Sequence, residues 1–263
     1  MEGETANERK SMAGRDGPSD PGLFTRKGEQ ILKQAEVVVY DALVGQSILN
    51  MIPENATLIN VGKRSCKHTM KQEQINQVLV EEAKKGQRVV RLKGGDPFLF
   101  GRGGEELELL VKEGIPYEVV PGVTSALSVP AYNGIPVTHR DYCSSLHIIT
   151  GHKRQGESYN IDFEALVRTK GTLVFLMGVS ALGDVCQGLL RTGMDPDMPA
   201  ALLIKGTTAA QRKNCGNRGN FKRRSRTAGG CDTGHYRSQE RYADLLRNLN
   251  GMRNSHWQER RSW

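Results

Sequence analysis

Residues 94–106 read Gly-Gly-Asp-Pro-Phe-Leu-Phe-Gly-Arg-Gly-Gly-Glu-Glu, and they follow a short apolar run at residues 88–92. This order predicts a strand, then a glycine-rich loop that carries a carboxylate, then a helix. Ligands bind at such places in open α/β sheets, because glycine lets backbone amides approach closely and a helix start has unpaired N–H donors. A lone Gly-Gly pair is more simply a tight turn, whereas this longer string is far more specific. It predicts half of a small-molecule site.

Strand-like and helix-like segments alternate on both sides of this loop, a pattern that is typical of parallel sheets covered by helices. The predicted strands are 37–40, 88–92, 117–120, 146–150, 172–177 and 200–204, and the predicted helices are 29–34, 70–85, 103–112, 125–132, 162–168 and 181–192. Pro121-Gly122 interrupts the pattern. We therefore predict an α/β fold with a first lobe at 17–121, a second lobe at 122–213 and a ligand cleft between them.

Charge is distributed unevenly along the 263 residues. The net charge is +8, but residues 214–263 hold eleven lysine and arginine residues against four aspartate and glutamate residues, which leaves +1 for residues 1–213. The first twenty residues contain no apolar run, so we expect neither a signal peptide nor a membrane anchor, and a cytoplasmic location. The five cysteines are scattered without a C-x-x-C pair, so we expect reduced thiols and no metal site.

Three further stretches support one interpretation together with residues 94–106. They are Val-Gly-Lys-Arg at 61–64, Val-Pro-Gly-Val-Thr-Ser-Ala at 120–126 and Gly-Ile-Pro-Val-Thr-His-Arg-Asp-Tyr at 134–142. These motifs resemble the tetrapyrrole (corrin and porphyrin) methylase family over about residues 17–213. The resemblance implies the two-lobed tetrapyrrole methylase fold, a homodimer and S-adenosylmethionine as methyl donor. Within the family it is closest to the branch that C-methylates uroporphyrinogen III to precorrin-2, for sirohaem and cobalamin.

The resemblance also implies which residues bind the cofactor. It places along the S-adenosylmethionine pocket Pro18, Gly94, Gly95, Asp96, Leu99, Thr124, Ser125, Met177 and Gly206. Asp96 is the one carboxylate among them that is able to meet a cationic or hydroxyl group of the cofactor. Met177 has an alternative interpretation as a core residue at the end of an apolar strand, because methionine commonly fills gaps in cores.

Two residues that follow apolar runs are candidates for proton transfer. Asp41 follows the strand at 37–40 and Lys63 follows the run at 58–61, and catalytic residues collect at the carboxyl ends of strands. The resemblance implies that Asp41 is the proton acceptor and Lys63 the proton donor. Without the resemblance, Asp41 is better interpreted as a turn or helix cap and Lys63 as a surface charge.

The implied substrate carries many carboxylates, so its site should present cations, and arginine suits paired carboxylate contacts best. The candidates beside Lys63 are Arg64, Arg102, His139 and Arg140. As a lone motif, His139-Arg140-Asp141 is equally well interpreted as a salt-bridged structural loop.

The family pattern fails at both ends of the chain. Residues 1–16 are an atypical segment, because 9–16 stand where the family has an apolar first strand, and we predict that this strand is lost. Residues 214–263 are a basic tail without periodicity. Permitted codons for residues 214–222 and 232–238, when read one base later, encode IVATVGTL and TPAIIV, and these strings resemble the end of the family's second domain. We therefore hypothesise an out-of-frame tail and an inactive chain.

Two other functions stay open. Another corrin-ring methylase of the same superfamily would share these motifs. A protein of a different class, which binds nucleic acid through its basic tail, would lose binding when the tail is deleted and would bind with a strong salt dependence.

Overall fold

The computed structural model describes residues 11–16, 20–62, 70–151 and 161–217. The described residues pack into two compact units, one within Met1–Val137 and Lys205–Gln211, the other within Thr138–Ile204 and Arg212–Trp263. Both units mix helices with strands, which confirms the predicted α/β class. The lobe boundary after Pro121 and the cleft between lobes stay predictions. No helix among these residues is long and apolar enough to cross a membrane.

The first unit is a parallel sheet with helices on both faces. Its elements are β1 (Ser11–Asp16), a 3-10 turn (Pro21–Leu23), α1 (Arg26–Leu32), β2 (Val37–Tyr40), α2 (Gln46–Leu49), β3 (Thr57–Asn60), α3 (Gln72–Lys84), β4 (Val89–Gly94), α4 (Gly103–Lys112), β5 (Tyr117–Val119) and α5 (Ser125–Tyr132). The strand order is β3-β2-β4-β1-β5, and every described pair is parallel.

Side-chain alternation along β2 and β4 builds a core on each face of this sheet. Val37 and Val39 pack with residues of α3 and α4, including Leu79 and Leu110. Residues at the intervening positions, such as Val38, pack with the side chains of α1 and α2. A parallel strand that is covered on both faces reads as a continuous run of β-branched residues, which is why 37–40 is so clearly a strand in the sequence.

The expectation that the first strand is lost is wrong. Ser11–Asp16 form β1, which lies between β4 and β5 with Met12 in register with Val90 and Glu118. Sheet pairing is made by main-chain N–H and C=O groups, which every residue except proline supplies in full, so a non-apolar segment is able to fill a central position. Residues 11–16 therefore form a strand despite their non-apolar composition.

The described part of the second unit contains two separate strand pairs. Its elements are β6 (Leu146–Thr150), α6 (Phe163–Arg168), β7 (Thr172–Leu176), α7 (Leu182–Arg191), β8 (Pro199–Ile204) and β9 (Arg212–Asn217). β6 pairs with β7 in parallel, and β8 pairs with β9 antiparallel. Val185 and Leu189 of α7 pack with Phe163 of α6 and Phe175 of β7.

The strand β9 corrects a second expectation. The sequence has no strand pattern from Asn214 onward, yet 214–217 continue β9, with Asn214 in register with Leu202. As in β1, the ladder is made by the main chain and does not depend on apolar side chains. Residues 218–263 lie outside the described residues, so the out-of-frame hypothesis and the nucleic-acid interpretation of the tail stay predictions. The expectation of an inactive chain loses its structural basis, because strands β1 and β9 are present near the two ends where strand loss was expected.

Candidate active site

Loops from four strands of the first unit meet at one edge of the sheet. Because the strands are parallel, their carboxyl ends share that edge, and the residues that follow them in the chain lie there. Asp41 follows β2, Gly62 follows β3, Asp96 follows β4, and Thr124 follows β5. The structure thus brings together, in one unit, the predicted residues from three of these loops.

Asp41 is fixed through both carboxylate oxygens. Oδ1 accepts a hydrogen bond from the backbone N–H of Leu43 at 3.0 Å. Oδ2 lies 3.5 Å from Nη2 of Arg91. The turn-cap interpretation of Asp41 is therefore correct as geometry, and the same carboxylate also has a buried cationic neighbour.

Two glycines let the neighbouring loops lie against the turn that begins at Asp41. A Cβ on Gly62 would overlap the backbone nitrogen of Ala42. A Cβ on Gly94 would lie 3.1 Å from the Cβ of Leu43. The close approach of the loops after β3 and β4 to this turn therefore requires glycine at 62 and leaves little room at 94.

Asp96 joins two loops at the same edge. Its Oδ1 accepts hydrogen bonds from the backbone N–H groups of Phe98 at 2.9 Å and Leu99 at 3.1 Å. Its Oδ2 accepts one from Gly122 at 3.1 Å. This half-buried carboxylate thereby holds the loop between β4 and α4 to the loop after β5. No described contact tests the expectation that Asp96 binds the cofactor.

The start of α5 is a further part of this edge. Thr124 caps the helix, because its Oγ1 accepts from the backbone N–H of Ala126 at 3.2 Å. A Cβ on Gly206 would overlap the side chain of Val129, so the segment 205–211 lies directly on α5. Gly206 is thus brought to the helix that contains Ser125.

Three charged side chains that the sequence analysis missed form a buried group, which contacts Asp41 through Arg91. Arg91, Lys93 and Glu106 are only 5%, 3% and 2% exposed. Oε1 of Glu106 accepts from Nζ of Lys93 at 2.8 Å and from Nε of Arg91 at 3.1 Å. The signal was present, because two cations alternate with apolar residues inside a strand that is otherwise hydrophobic, and a buried charge needs a partner.

The cationic residues predicted to bind the substrate lie in both units, Arg102 in the first and His139 and Arg140 in the second. Arg102, with φ +58°, forms a paired contact with the carboxylate of Glu105, at 2.8 and 2.6 Å, and this hydrogen bonding raises the pKa of Arg102. In the second unit, Nδ1 of His139 accepts from the backbone N–H of Asp141 at 3.2 Å, and Arg140 is exposed. These contacts agree with a structural loop at 139–141 and leave its surface open.

Met177 lies at the surface of the second unit. Met177 follows β7 with φ +55° and is 55% exposed, so the interpretation as a core residue is wrong. Pro18, Lys63 and Arg64 lie outside the described residues. Within the described ranges, no group of three histidine, cysteine, aspartate or glutamate side chains is placed to hold a metal ion.

A parallel sheet whose carboxyl edge carries glycine-rich, acid-bearing loops defines an α/β protein of the ligand-binding class. The chain belongs to the Tetrapyrrole (Corrin/Porphyrin) Methylases, because the model of that family matches residues 17–219. This finding confirms the resemblance carried by residues 94–106 and the three other motifs.

Two curated proteins from other organisms are more than 50% identical to this chain over about 200 residues. The "S-adenosyl-L-methionine-dependent uroporphyrinogen III methyltransferase" of Methanosarcina barkeri is 52% identical over 206 residues, 78% of this chain and 81% of that protein. The "Porphyrin biosynthesis protein HemD" of Ruminiclostridium josui is 57% identical over 197 residues, 75% of this chain. The chain spans only 39% of that relative's length.

A solved structure agrees with these relatives. The uroporphyrin-III C-methyl transferase of Thermus thermophilus, complexed with S-adenyl homocysteine, superimposes with a TM-score of 0.71. It is 34% identical, and the match covers 88% of this chain and 89% of the Thermus chain. The shared fold therefore extends over both units.

Proposed function

We propose that this chain transfers methyl groups from S-adenosylmethionine to two ring carbons of uroporphyrinogen III and so forms precorrin-2. The observation that carries the proposal is Asp41, a carboxylate fixed at the carboxyl edge of the sheet beside the glycine-rich loop 94–106. The stated activity of the Methanosarcina relative supports the same chemistry. The product would serve the formation of sirohaem and cobalamin.

The chemistry of the sheet edge fits the methyl donor. Gly95, with φ +84°, has a turn conformation that favours glycine, Ser125 contributes a hydroxyl, and half-buried Leu99 contributes an apolar side chain. On the family resemblance we assign to the cofactor Gly94, Gly95, Asp96, Leu99, Thr124, Ser125 and Gly206 of the first unit, together with Met177 of the second unit and Pro18. When bound, S-adenosylmethionine supplies an electrophilic methyl group. Asp96 orders the loop that binds it.

Proton transfer is the part of the reaction that falls to side chains of this chain. Methylation of a ring carbon releases a proton, and Asp41 accepts it, because its carboxylate is held at the edge and its side chain is 21% exposed. Lys63 acts as the proton donor. Arg64, Arg102, His139 and Arg140 bind the carboxylates of the substrate, and arginine does so with paired hydrogen bonds.

A matched pair of variants tests the role of Asp41. Asp195 has the same local geometry, because its Oδ1 accepts from a backbone N–H two residues on, at 2.8 Å, but it lies in the second unit. We expect Asp41→Asn to lower kcat by about 10²- to 10⁴-fold and to leave the affinity for S-adenosylmethionine unchanged. Asp195→Asn should leave both unchanged. An Asp41→Asn variant with normal turnover would show that the role is assigned to the wrong residue.

The cofactor assignment has its own test. Asp96→Ala removes the acceptor of three backbone N–H groups, and we expect calorimetry to show weaker binding of S-adenosylmethionine, by about 1–3 kcal/mol. Lys63→Met should slow turnover without this loss. An Asp96→Ala variant with unchanged affinity for S-adenosylmethionine would contradict the assignment of Asp96 to the cofactor site.

The substrate and the assembly complete the proposal. Assays with uroporphyrinogen III and with later corrin intermediates distinguish precorrin-2 formation from the other corrin-ring methylations. The homodimer that the family resemblance implies is measured by light scattering of the purified chain, and the cytoplasmic location by cell fractionation. A monomer at working concentration would remove the dimer from the proposal and leave the chemistry intact.

A further inference from the structure

Four charged side chains form a cluster that connects the core of the first unit with the candidate proton acceptor. The β4 charge cluster consists of Arg91, Lys93, Glu106 and Asp41. We propose that Arg91 is a positioning residue that sets the orientation of the Asp41 carboxylate for proton transfer, and that Glu106 holds Arg91 in place. This inference rests on the proposed function, because it names a residue that acts through Asp41.

The location of Arg91 is unusual for a residue that only stabilises a fold. Alternation along β4 puts Arg91 and Lys93 on the same face as Val89, which packs in the core with α3 and α4. Hydrophobic residues in place of a buried ion pair are often neutral or stabilising. Packing alone therefore does not explain buried charges at this position, whereas a contact between Arg91 and the Asp41 carboxylate does.

The guanidinium group of Arg91 has a separate partner for each nitrogen. Nε donates to Oε1 of Glu106 at 3.1 Å, and Nη1 donates to the carbonyls of Val39 at 3.3 Å and Leu92 at 3.0 Å. Nη2 is then directed at Oδ2 of Asp41, 3.5 Å away. Because the group is planar and rigid, it is unable to turn away from Asp41 without breaking its other hydrogen bonds.

Two cations and two carboxylates make up the cluster. Oε1 of Glu106 is shared by Arg91 and Lys93, so one carboxylate faces two cations. Asp41 is the second carboxylate of the cluster, and it faces Arg91. Asp41 is also the member that reaches the surface, since its side chain is 21% exposed while the other three are 6% or less. Within the cluster, Asp41 is the group that a substrate is able to meet.

Both carboxylate oxygens of Asp41 are thus set by different parts of the fold. The turn after β2 fixes Oδ1 through Leu43, and β4 fixes Oδ2 through Arg91. Each carboxylate oxygen accepts about two hydrogen bonds, so lone pairs remain for the incoming proton in a defined direction. Loss of Nη2 would leave Oδ1 held but allow the carboxylate to rotate.

The test compares two arginine-to-lysine changes in the same stretch of chain. Arg91→Lys keeps the charge but loses the planar group that reaches Asp41. Arg88→Lys is the control, because Arg88 is exposed and pairs with Glu36 away from the cluster, at 3.2 Å. We expect Arg91→Lys to lower kcat on the order of ten- to a hundredfold, with KM and cofactor affinity unchanged. Arg88→Lys should match the wild type.

A double variant separates positioning from general stability. If Arg91 acts through Asp41, Asp41→Asn with Arg91→Lys will be no slower than Asp41→Asn alone. Losses that multiply, or a loss of cofactor affinity in Arg91→Lys, overturn the inference. If Arg91→Lys does not melt cooperatively, Glu106→Asp takes its place: it keeps every charge and moves the anchor of Arg91, and normal kcat in this variant overturns the inference.

The two proposals fail in different ways. A wild-type chain that binds S-adenosylmethionine but methylates no tetrapyrrole overturns the proposed function, and this inference with it. A wild-type chain that is active, with multiplicative losses in the double variant, overturns the inference alone.

Discussion

Replacement of Glu106 by glutamine should lower the free energy of unfolding by about 3–5 kcal/mol, because it leaves buried cations without their shared carboxylate. Glu106 is 2% exposed, and its Oε1 lies 2.8 Å from Nζ of Lys93 and 3.1 Å from Nε of Arg91. Glutamine keeps the shape of the side chain and an oxygen acceptor, so the loss in free energy of unfolding measures the effect of the charge and not of a change in volume. Against a total stability of about 5–15 kcal/mol, such a loss is large.

Urea unfolding followed by circular dichroism measures this loss. With an m-value of about 2–3 kcal/mol/M, the midpoint should fall by about 1–2.5 M. The adjacent Glu105→Gln is a matched control, because Glu105 is exposed and pairs with Arg102 at the surface. Exposed pairs contribute about 1 kcal/mol or less, so its midpoint should change little.

A double variant tests whether the loss in Glu106→Gln comes from unneutralised cations. Lys93→Met combined with Glu106→Gln removes one of the two cations, so it should be more stable than Glu106→Gln alone. A Glu106→Gln midpoint equal to that of Glu105→Gln, or no recovery in the double variant, would show that Glu106 does not neutralise the buried cations.

Three smaller predictions concern single contacts. Gly62→Ala should lower the free energy of unfolding in urea by about 1–3 kcal/mol, because its Cβ would overlap the backbone of Ala42; an unchanged free energy of unfolding would contradict the close approach. Tyr132→Phe should raise the pKa of Asp20 in an NMR titration, because the Tyr132 hydroxyl donates to Oδ2 at 2.6 Å and lowers that pKa. The hydrogen bond stabilises the folded protein fully only at a pH above the pKa of Asp20 in the unfolded chain. The difference in melting temperature between variant and wild type should therefore shrink as the pH falls through the pKa of Asp20 in the folded protein. Asp162→Ala removes the N-cap of α6 and should cost about 1 kcal/mol in a thermal melt; equal melts would show that the cap contributes nothing.

The elements with strong local signals were predictable from the sequence. The strand at 37–40 and the helices at 103–112 and 125–132 have the same bounds in the structure as in the prediction. Each has a continuous apolar run or a helical apolar face, and most are bounded by glycine or by a capping residue such as Thr124. These signals act over a few residues, so they do not depend on the rest of the chain.

Elements formed by the main chain were not predictable. Ser11–Asp16 and Arg212–Asn217 lack strand patterning, yet both are strands because neighbouring strands offer them hydrogen-bond partners. A partner that is distant in the chain leaves no local trace in the sequence. For this reason both ends of the family pattern looked more damaged in the sequence than their backbones are.

The sequence by itself determined the class of fold, the glycine-rich loop at 94–106 and the position of Asp41 after a strand, because periodicity and turn residues are local properties. Only the tertiary structure decided what Asp41 touches. Arg91 and Glu106 are fifteen residues apart, and Arg91 and Asp41 are fifty apart. They meet because β4 pairs with β2 and α4 packs over that face, which places two cations and two carboxylates where water is largely excluded and each charge requires the others.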